Sequence, residues 1–305
     1  MHDVMTVRGP VAADALGPTL MHEHLFINLL REYRGDGLLN DATLAVHECN
    51  DFTALGGRTL VDCTNGSMGR DPELLRRVAV EADVNIVMGS GHYRVPYIDA
   101  EWMDAHTVDE VADGIVRDLE EGVGDTGVRA GIIGEIGADK WFVSAHEERS
   151  FRAAARAHLR TGATITTHAA RWPVGLAQLD LLTAEGVAPE RVIIGHADTV
   201  PLPDYHHEVA RRGAYVQFDN VRGITQYDLD RQVDYVLALV RAGFLERILL
   251  SHDACLRSHL SIADGPGFTL IMREFLPRLE TAGLTSEELA VIMVDNPRRA
   301  LTGER

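Results

Sequence analysis

Two rhythms of apolar residues alternate along the chain. Short runs, several close to continuously apolar (VNIVMG, AGIIGEIG, RVIIGH, RILLSH), occupy residues 19–27, 59–65, 85–93, 130–137, 164–170, 192–198, 214–220 and 248–254. Strands covered on both faces by helices read this way. Between them, apolar residues recur every three to four positions over 72–82, 107–121, 147–161, 176–185, 229–243 and 268–283, the spacing of a helix with one buried stripe. Pro72 directly after Asp71 marks a helix start, and glycines 122, 162, 186, 243 and 283 mark helix ends. Strand then helix, repeated eight times, predicts an α/β protein with a closed parallel (β/α)8 TIM barrel, one domain over residues 1–305. A doubly wound open sheet fits less well, because no glycine-rich phosphate loop follows the first run. A last helical stretch, 286–300, contains Asn296-Pro297 and is expected to pack across the barrel bottom.

The ends of the runs carry the chemistry. The first ends in His22-Glu23-His24, the fourth in Gly134-Glu135-Ile136-Gly137 and the fifth in Thr167-His168. The sixth ends in Gly195-His196-Ala197-Asp198 and the eighth in Ser251-His252-Asp253. Residues i and i+2 of a strand share a face, so His22 and His24 point the same way, and inward fits imidazoles flanked by apolar neighbours. The other groups sit at the C-terminal mouth, where barrels of this kind place their active sites. Four imidazoles and two carboxylates left unpaired there would be costly to desolvate. Two divalent cations held by His22, His24, Glu135, His168, His196 and Asp253 remove that cost. The donor set suits Zn, with Mn, Co or Fe as alternatives. One histidine near a loop is ordinarily just a solvated or packed polar group; six ligand types on five strand ends point to metal.

Net charge −17 disfavours nucleic acid and anionic membranes as partners. Three cysteines with no CxxC spacing point to a reducing, cytoplasmic setting rather than a disulfide framework. The first twenty residues show no signal-peptide pattern, and no apolar stretch has membrane-spanning length. Lys140 is the only lysine in the sequence.

TVRGPV (6–11) and GPTLMHEHLFIN (17–28), followed in order by GVRAGIIGEIGADK (127–140), FRAAARAHLRTGATITTHAA (151–170), RVIIGHAD (191–198), YVQFDN (215–220) and RILLSHDACLRSHL (247–260), resemble the phosphotriesterase family of the amidohydrolase superfamily, from about residue 5 to residue 300. HxH alone is weak; HxH with the remaining blocks in order is specific. The resemblance implies a distorted (β/α)8 barrel with a binuclear centre. His22, His24 and Asp253 would hold the more buried metal, and His168 and His196 the more exposed one. Members acting on organophosphates or lactones bridge the metals with a carboxylated lysine at the end of strand four. Here GEIG stands in its place and resembles the branch that uses glutamate, so Glu135 becomes the bridge. Lys140, several residues further on, is the only lysine that could be carboxylated. Asn220 stands near a position where the phosphotriesterases proper carry a histidine thought to shuttle protons. Tyr93 resembles the tyrosine that lactone-hydrolysing relatives aim at the metals.

The expected chemistry is attack by a metal-bridging hydroxide on a carboxylic ester or lactone, with Asp253 accepting the proton and Tyr93 hydrogen-bonding the nucleophile or the developing oxyanion. An amide of the N-acyl amino acid type is the alternative, with phosphotriester hydrolysis as a promiscuous activity. A barrel that binds a small ligand without turnover is the rival of another class. Trp141, Phe142, Arg171, Trp172, Arg222, Tyr227, Arg257, His259 and Phe268 in the mouth loops are candidate substrate contacts. The three arginines among them suggest a small-molecule substrate that is anionic or strongly polar. By analogy with the family, a homodimer is expected. Asp198 and Asp219 are candidates to orient ligating histidines. His146, His206 and His207 read as solvated, and Cys63 and Cys255 as packing residues.

Overall fold

The computed structural model describes residues 3–223 and 225–304. Eight parallel strands follow one another around a barrel: β1 Thr19–Glu23, β2 Thr59–Asp62, β3 Asn85–Ser90, β4 Ile132–Gly137, β5 Ile165–His168, β6 Val192–Gly195, β7 Tyr215–Phe218 and β8 Ile248–Leu250. Each neighbouring pair is parallel from β1 to β8. The ring closes where Ser251 Oγ accepts from His22 N at 2.8 Å and Asp253 N donates to His22 O at 3.1 Å. The strands are shorter than the sequence runs because each run's last residues leave the ladder and build the mouth.

The helical stretches form with their signals in place. Asp71 caps Pro72–Glu81 by accepting from Leu74 N, and Thr107 and Glu110 form a capping box on Val108–Glu120. Ala145–Thr161 ends at Gly162, whose φ of 74° lets its N–H reach back to His158 O. Besides the single turn Leu30–Tyr33, three helices escape the sequence pattern. Ala42–Ala54 buries Ala45, Glu48, Cys49 and Phe52, a helical spacing disguised by a buried acid in the stripe. Ala100–Ala105 is under two turns long. Pro203–Arg211 carries a histidine on its apolar face. That histidine corrects an expectation: His206 is buried, not solvated, and its Nε2 lies 2.8 Å from Ala197 O and 3.0 Å from Val200 O. His146 and His207 are half-buried, and His146 Nε2 lies 2.9 Å from Asp104 Oδ1.

Two apolar layers result. The larger lies between the strands and the helices and includes Leu20, Leu60, Ile86, Ile133, Ile165, Ile194, Val216 and Ile248. The smaller fills the barrel interior with Met21, Val61, Cys63, Val87, Ile132, Ile193, Tyr215 and Leu249. Val4 and Leu16 from the N-terminal segment join it, as do Ala300 and Leu301 from the last helix, Asn296–Thr302. The N-terminal segment is a hairpin of Asp3–Thr6 with Gly9–Ala12 that the sequence pattern did not show. Among the described residues, no helix is long and apolar enough to cross a membrane.

Candidate metal centre

Regular alternation along β1 would send His22 to the same face as Leu20, into the helix layer. Leu20 lies in that layer and Met21 in the barrel interior. Between Leu20 and Glu23 the register slips: Leu20 pairs with Leu60 and Glu23 with Asp62, so Met21 and His22 together oppose Val61 of β2. This bulge re-aims His22 into the mouth, where His24 also points. β4 repeats the device. Ile133 pairs with Ile165 and Ile136 with Thr167, so Gly134 and Glu135 together oppose Thr166. The Glu135 side chain is thereby delivered to the mouth, while Ile133 and Ile136 both stay in the helix layer.

The six sequence-nominated residues meet there. Glu135 Oε1 faces His22 Nε2 at 3.6 Å and His24 Nε2 at 3.5 Å. Its Oε2 faces His168 Nδ1 at 3.0 Å and His196 Nε2 at 3.3 Å. Asp253 Oδ1 lies 3.3 Å from His24 Nε2 and 3.8 Å from His22 Nε2. One carboxylate therefore fronts two separate donor sets, one with each oxygen. Two groups of ligand atoms, His22–His24–Glu135 and Glu135–His168–His196, each fall within 4.8 Å.

The donor chemistry fits divalent cations. His22 Nε2 is fully buried and has no hydrogen-bond partner among the described residues. His168 Nδ1 and His196 Nε2 face each other at 2.7 Å. Lone pairs gathered this closely, beside two carboxylates, are satisfied by a cation between them.

A second layer of groups fixes the rings. Asp219, fully buried, takes His196 Nδ1 at 2.8 Å and His196 N at 3.0 Å on Oδ1, and lies 3.0 Å from His22 Nδ1 with Oδ2. A carboxylate so placed favours the proton at Nδ1 of each ring, the tautomer that leaves Nε2 to ligate. Thr64 Oγ1 does the same for His24 Nδ1 at 2.8 Å. Asp198 serves elsewhere, accepting from Asn220 N and Gln232 Nε2. Glu23, between the two histidines, turns away from the cluster and toward β8. It accepts from Ser251 Oγ, His252 N, His252 Nδ1 and Ala254 N, and so pins the end of β8 beside β1. The sequence pass overlooked it because its neighbours are ligands. It also overlooked Glu147, which is buried and accepts from Val95 N and Asp139 N, tying the loops after β3 and β4 together.

Burial works against charge throughout this cluster, and the partners decide the outcome. Burial raises the Glu135 carboxyl, but His22, His168 and His196 hold it well below the usual carboxylate range. Asp253 is likewise driven down against burial, by Arg222 and the imidazoles. Burial lowers His196, yet Asp219 and Glu135 raise it to about 10. Burial and the neighbouring His196 push His168 down to about 4. Cations that load this site displace protons from it.

Tyr93, buried, places its hydroxyl 3.1 Å from His168 Nδ1. Burial and Glu135 raise its phenol well above the usual value, so it keeps its proton as a hydrogen-bond donor. His196 and Asp253 adopt left-handed φ values of 56° and 52° at the mouth. Such backbone strain in non-glycine residues gathers at functional sites.

A cavity of about 210 Å³ opens above the cluster. Its wall includes His24, Tyr33, Tyr93, Arg94, Glu135, His168, Arg171, His196, Asn220, Arg222, Asp253, Cys255 and His259. Of the nominated substrate residues, Arg171, Arg222 and His259 line it. Arg222 does so in another role, since its guanidinium is bound to the Asp253 carboxylate and donates to His252 O at 2.9 Å and Asp253 O at 2.8 Å. Burial and Arg222 lower the His259 imidazole to about 4. Six expectations are corrected, and the first is Trp172, which is exposed and lies outside the wall, as does Phe142. Trp141 is 68% exposed and packs edge-on against Phe142, outside the wall, because its loop turns out to solvent. Arg257 is exposed and lines a separate small pocket with Glu48 and Leu260. Tyr227 stands in solvent, and Phe268 is core. Lys140 is exposed on the loop after β4 and does not line the cavity. Arg94, which the sequence reading passed over, does; it pairs with Glu32 and Asp139.

Fold and site together define a class, the metal-dependent hydrolases of the amidohydrolase type. Within it, the chain belongs to the phosphotriesterase family, whose profile matches residues 2–301. It is 35% identical over 285 residues to the phosphotriesterase homology protein of Escherichia coli (strain K12), covering 93% of this chain and 97% of that protein. It is 28% identical over 362 residues to the N-acetyltaurine hydrolase of Dictyostelium discoideum, covering 98% and 97%. The crystal structure of a lactonase from Listeria monocytogenes matches with a TM-score of 0.91 at 29% identity, covering 100% of each chain.

Proposed function

We propose that the chain holds two divalent cations, zinc first among them, and hydrolyses a carboxylic ester or lactone. The observation that carries this reading is Glu135, whose two oxygens front two different sets of ring nitrogens. His22, His24 and Asp253 would hold one cation, His168 and His196 the other, and Glu135 would be shared. Cations so placed lower the pKa of water toward neutrality and polarise an acyl oxygen.

The chain's own groups do the rest. Asp253 is the proton acceptor, with Oδ1 toward the histidines and Oδ2 anchored by Arg222. Because Arg222 and the imidazoles acidify it, it takes a proton only from a donor that is itself strongly acidified. Tyr93 donates from its retained hydroxyl proton toward the developing oxyanion. Asn220, with Nδ2 3.3 Å from His196 Nδ1, offers no titrating group for a proton relay.

An amide is the second reading, favoured by the likeness across nearly the whole chain to a protein named for N-acetyltaurine hydrolysis. Metal analysis of the purified chain, with a panel of small esters, lactones, amides and a phosphotriester, tests both. Two cations per chain with turnover of esters or lactones is expected, and Asp253→Asn abolishes turnover while retaining bound metal. Two cations with no turnover on any member would favour a ligand-binding barrel, and a chain indifferent to zinc, manganese and cobalt would overturn the metal reading.

A further inference from the structure

We propose that Arg171 selects the substrate by gripping an oxyanion, such as a carboxylate, that the substrate carries away from its scissile bond. The inference rests on the hydrolase reading above and adds the class of molecule to it.

The argument is an accounting of charge in the cavity wall. Three guanidinium groups line it: Arg94, Arg171 and Arg222. Arg94 is bound to Glu32 and Asp139 and also donates to Val95 O. Arg222 is bound to the Asp253 carboxylate and two backbone carbonyls. The remaining wall carboxylate, Glu135, is taken up by the imidazoles. Every acid in the wall therefore has its partner. Arg171 alone of the three has no ion pair or side-chain hydrogen bond among the described residues, and it is exposed at the mouth.

Its backbone is held in place. Arg171 N donates to Thr199 Oγ1 at 2.7 Å, and Thr199 Oγ1 donates to His196 O at 2.7 Å, which ties the arginine to a candidate ligand's main chain. Its φ is 70°, a region glycine enters freely and arginine only under strain. A strained, tethered and unpaired guanidinium at the rim of a chain of net charge −17 is a local reversal of sign. A guanidinium binds an oxyanion through two parallel hydrogen bonds, a geometry lysine cannot reproduce.

The test compares 4-nitrophenyl hemiglutarate with its uncharged carboxamide counterpart on the metal-loaded enzyme, and measures glutarate binding by calorimetry. The ratio of kcat/KM, charged over uncharged, is expected to be about two- to fivefold in the wild type, the upper part of the range for an ion pair that solvent can reach. Arg171→Met and Arg171→Gly, the second free of backbone strain, bring that ratio close to one and weaken glutarate by a similar factor; Arg171→Lys recovers part of it. A preference that survives both variants, or glutarate binding that ignores them, overturns the proposal. If no ester is turned over at all, the hydrolase reading fails, and glutarate calorimetry on the variants still decides the role of Arg171.

Discussion

If the site holds the two proposed cations, Asp219→Asn is expected to weaken one and spare the other. The carboxylate spans two rings: His196 Nδ1 and Asn220 Nδ2 meet Oδ1 at 2.8 and 3.0 Å, His196 N is shared between Oδ1 at 3.0 Å and Oδ2 at 3.1 Å, and His22 Nδ1 meets Oδ2 at 3.0 Å, so Oδ1 is the oxygen with more donors. Asparagine keeps one acceptor and replaces the other with a donor. The carbonyl oxygen remains where three donors converge, so the new NH2 group faces His22. His22 must then accept at Nδ1 and carry its proton on Nε2, the atom that faces Glu135 and Asp253. A cation held by His22 and His24 would lose a lone pair, and one held by His168 and His196 would not. Groups that orient ligands in this way are worth about 10- to 100-fold in metal affinity, or about 1.4 to 2.7 kcal/mol. Titration against a competing chelator, with circular dichroism to verify folding, reads this directly. One of two zinc equivalents should weaken by that factor, with kcat/KM falling alongside it. Equal weakening of both, or a titration that superimposes on the wild type, would refute the tautomer argument.

Phe52 is fully buried under Gly57, where a Cβ would lie 2.3 Å from its ring, so the void left by Phe52→Ala has little freedom to collapse; urea unfolding should show a loss of about 3–5 kcal/mol. Burial lowers the pKa of His206 despite its hydrogen bonds to Ala197 O and Val200 O. The unfolded chain therefore takes up a proton below about pH 6.5 that the folded chain refuses, and stability falls as pH drops from 6.5 toward the folded value. His206→Gln should flatten the urea midpoint between pH 7.5 and 5.5 relative to wild type, and an unchanged slope would assign the acid sensitivity to other groups.

The barrel was legible because its strands and helices differ in period, and because ligand-type residues stand at the strand ends. The delivery of those ligands was not. His22 reaches the mouth through a bulge, and no period-two pattern contains the slip that places Met21 inside and His22 beside it. Asp219 could be nominated as an orienting group from its place after β7, although its double engagement with His22 and His196 depends on strands far apart in sequence. The loops were least readable. Arg222, Arg171 and Arg257 look alike in sequence, yet one is bound to Asp253, one is unpaired in the wall and one lines a separate small pocket. What separates them is which acid each loop brings near, and a single sequence does not encode that locally. Glu48 and His206 hid whole helices for a related reason: a polar residue on a buried stripe breaks the pattern that would announce it.

The apolar plug at the lower end of the barrel, where Leu16, Tyr215 and Leu301 meet Met21 and Ile193, bears on traffic through the enzyme. With that end stoppered among the described residues, reactant and products share the doorway at the C-terminal rim. Whatever leaves past that rim then competes with what arrives, and traffic joins bond breaking in setting the pace of turnover.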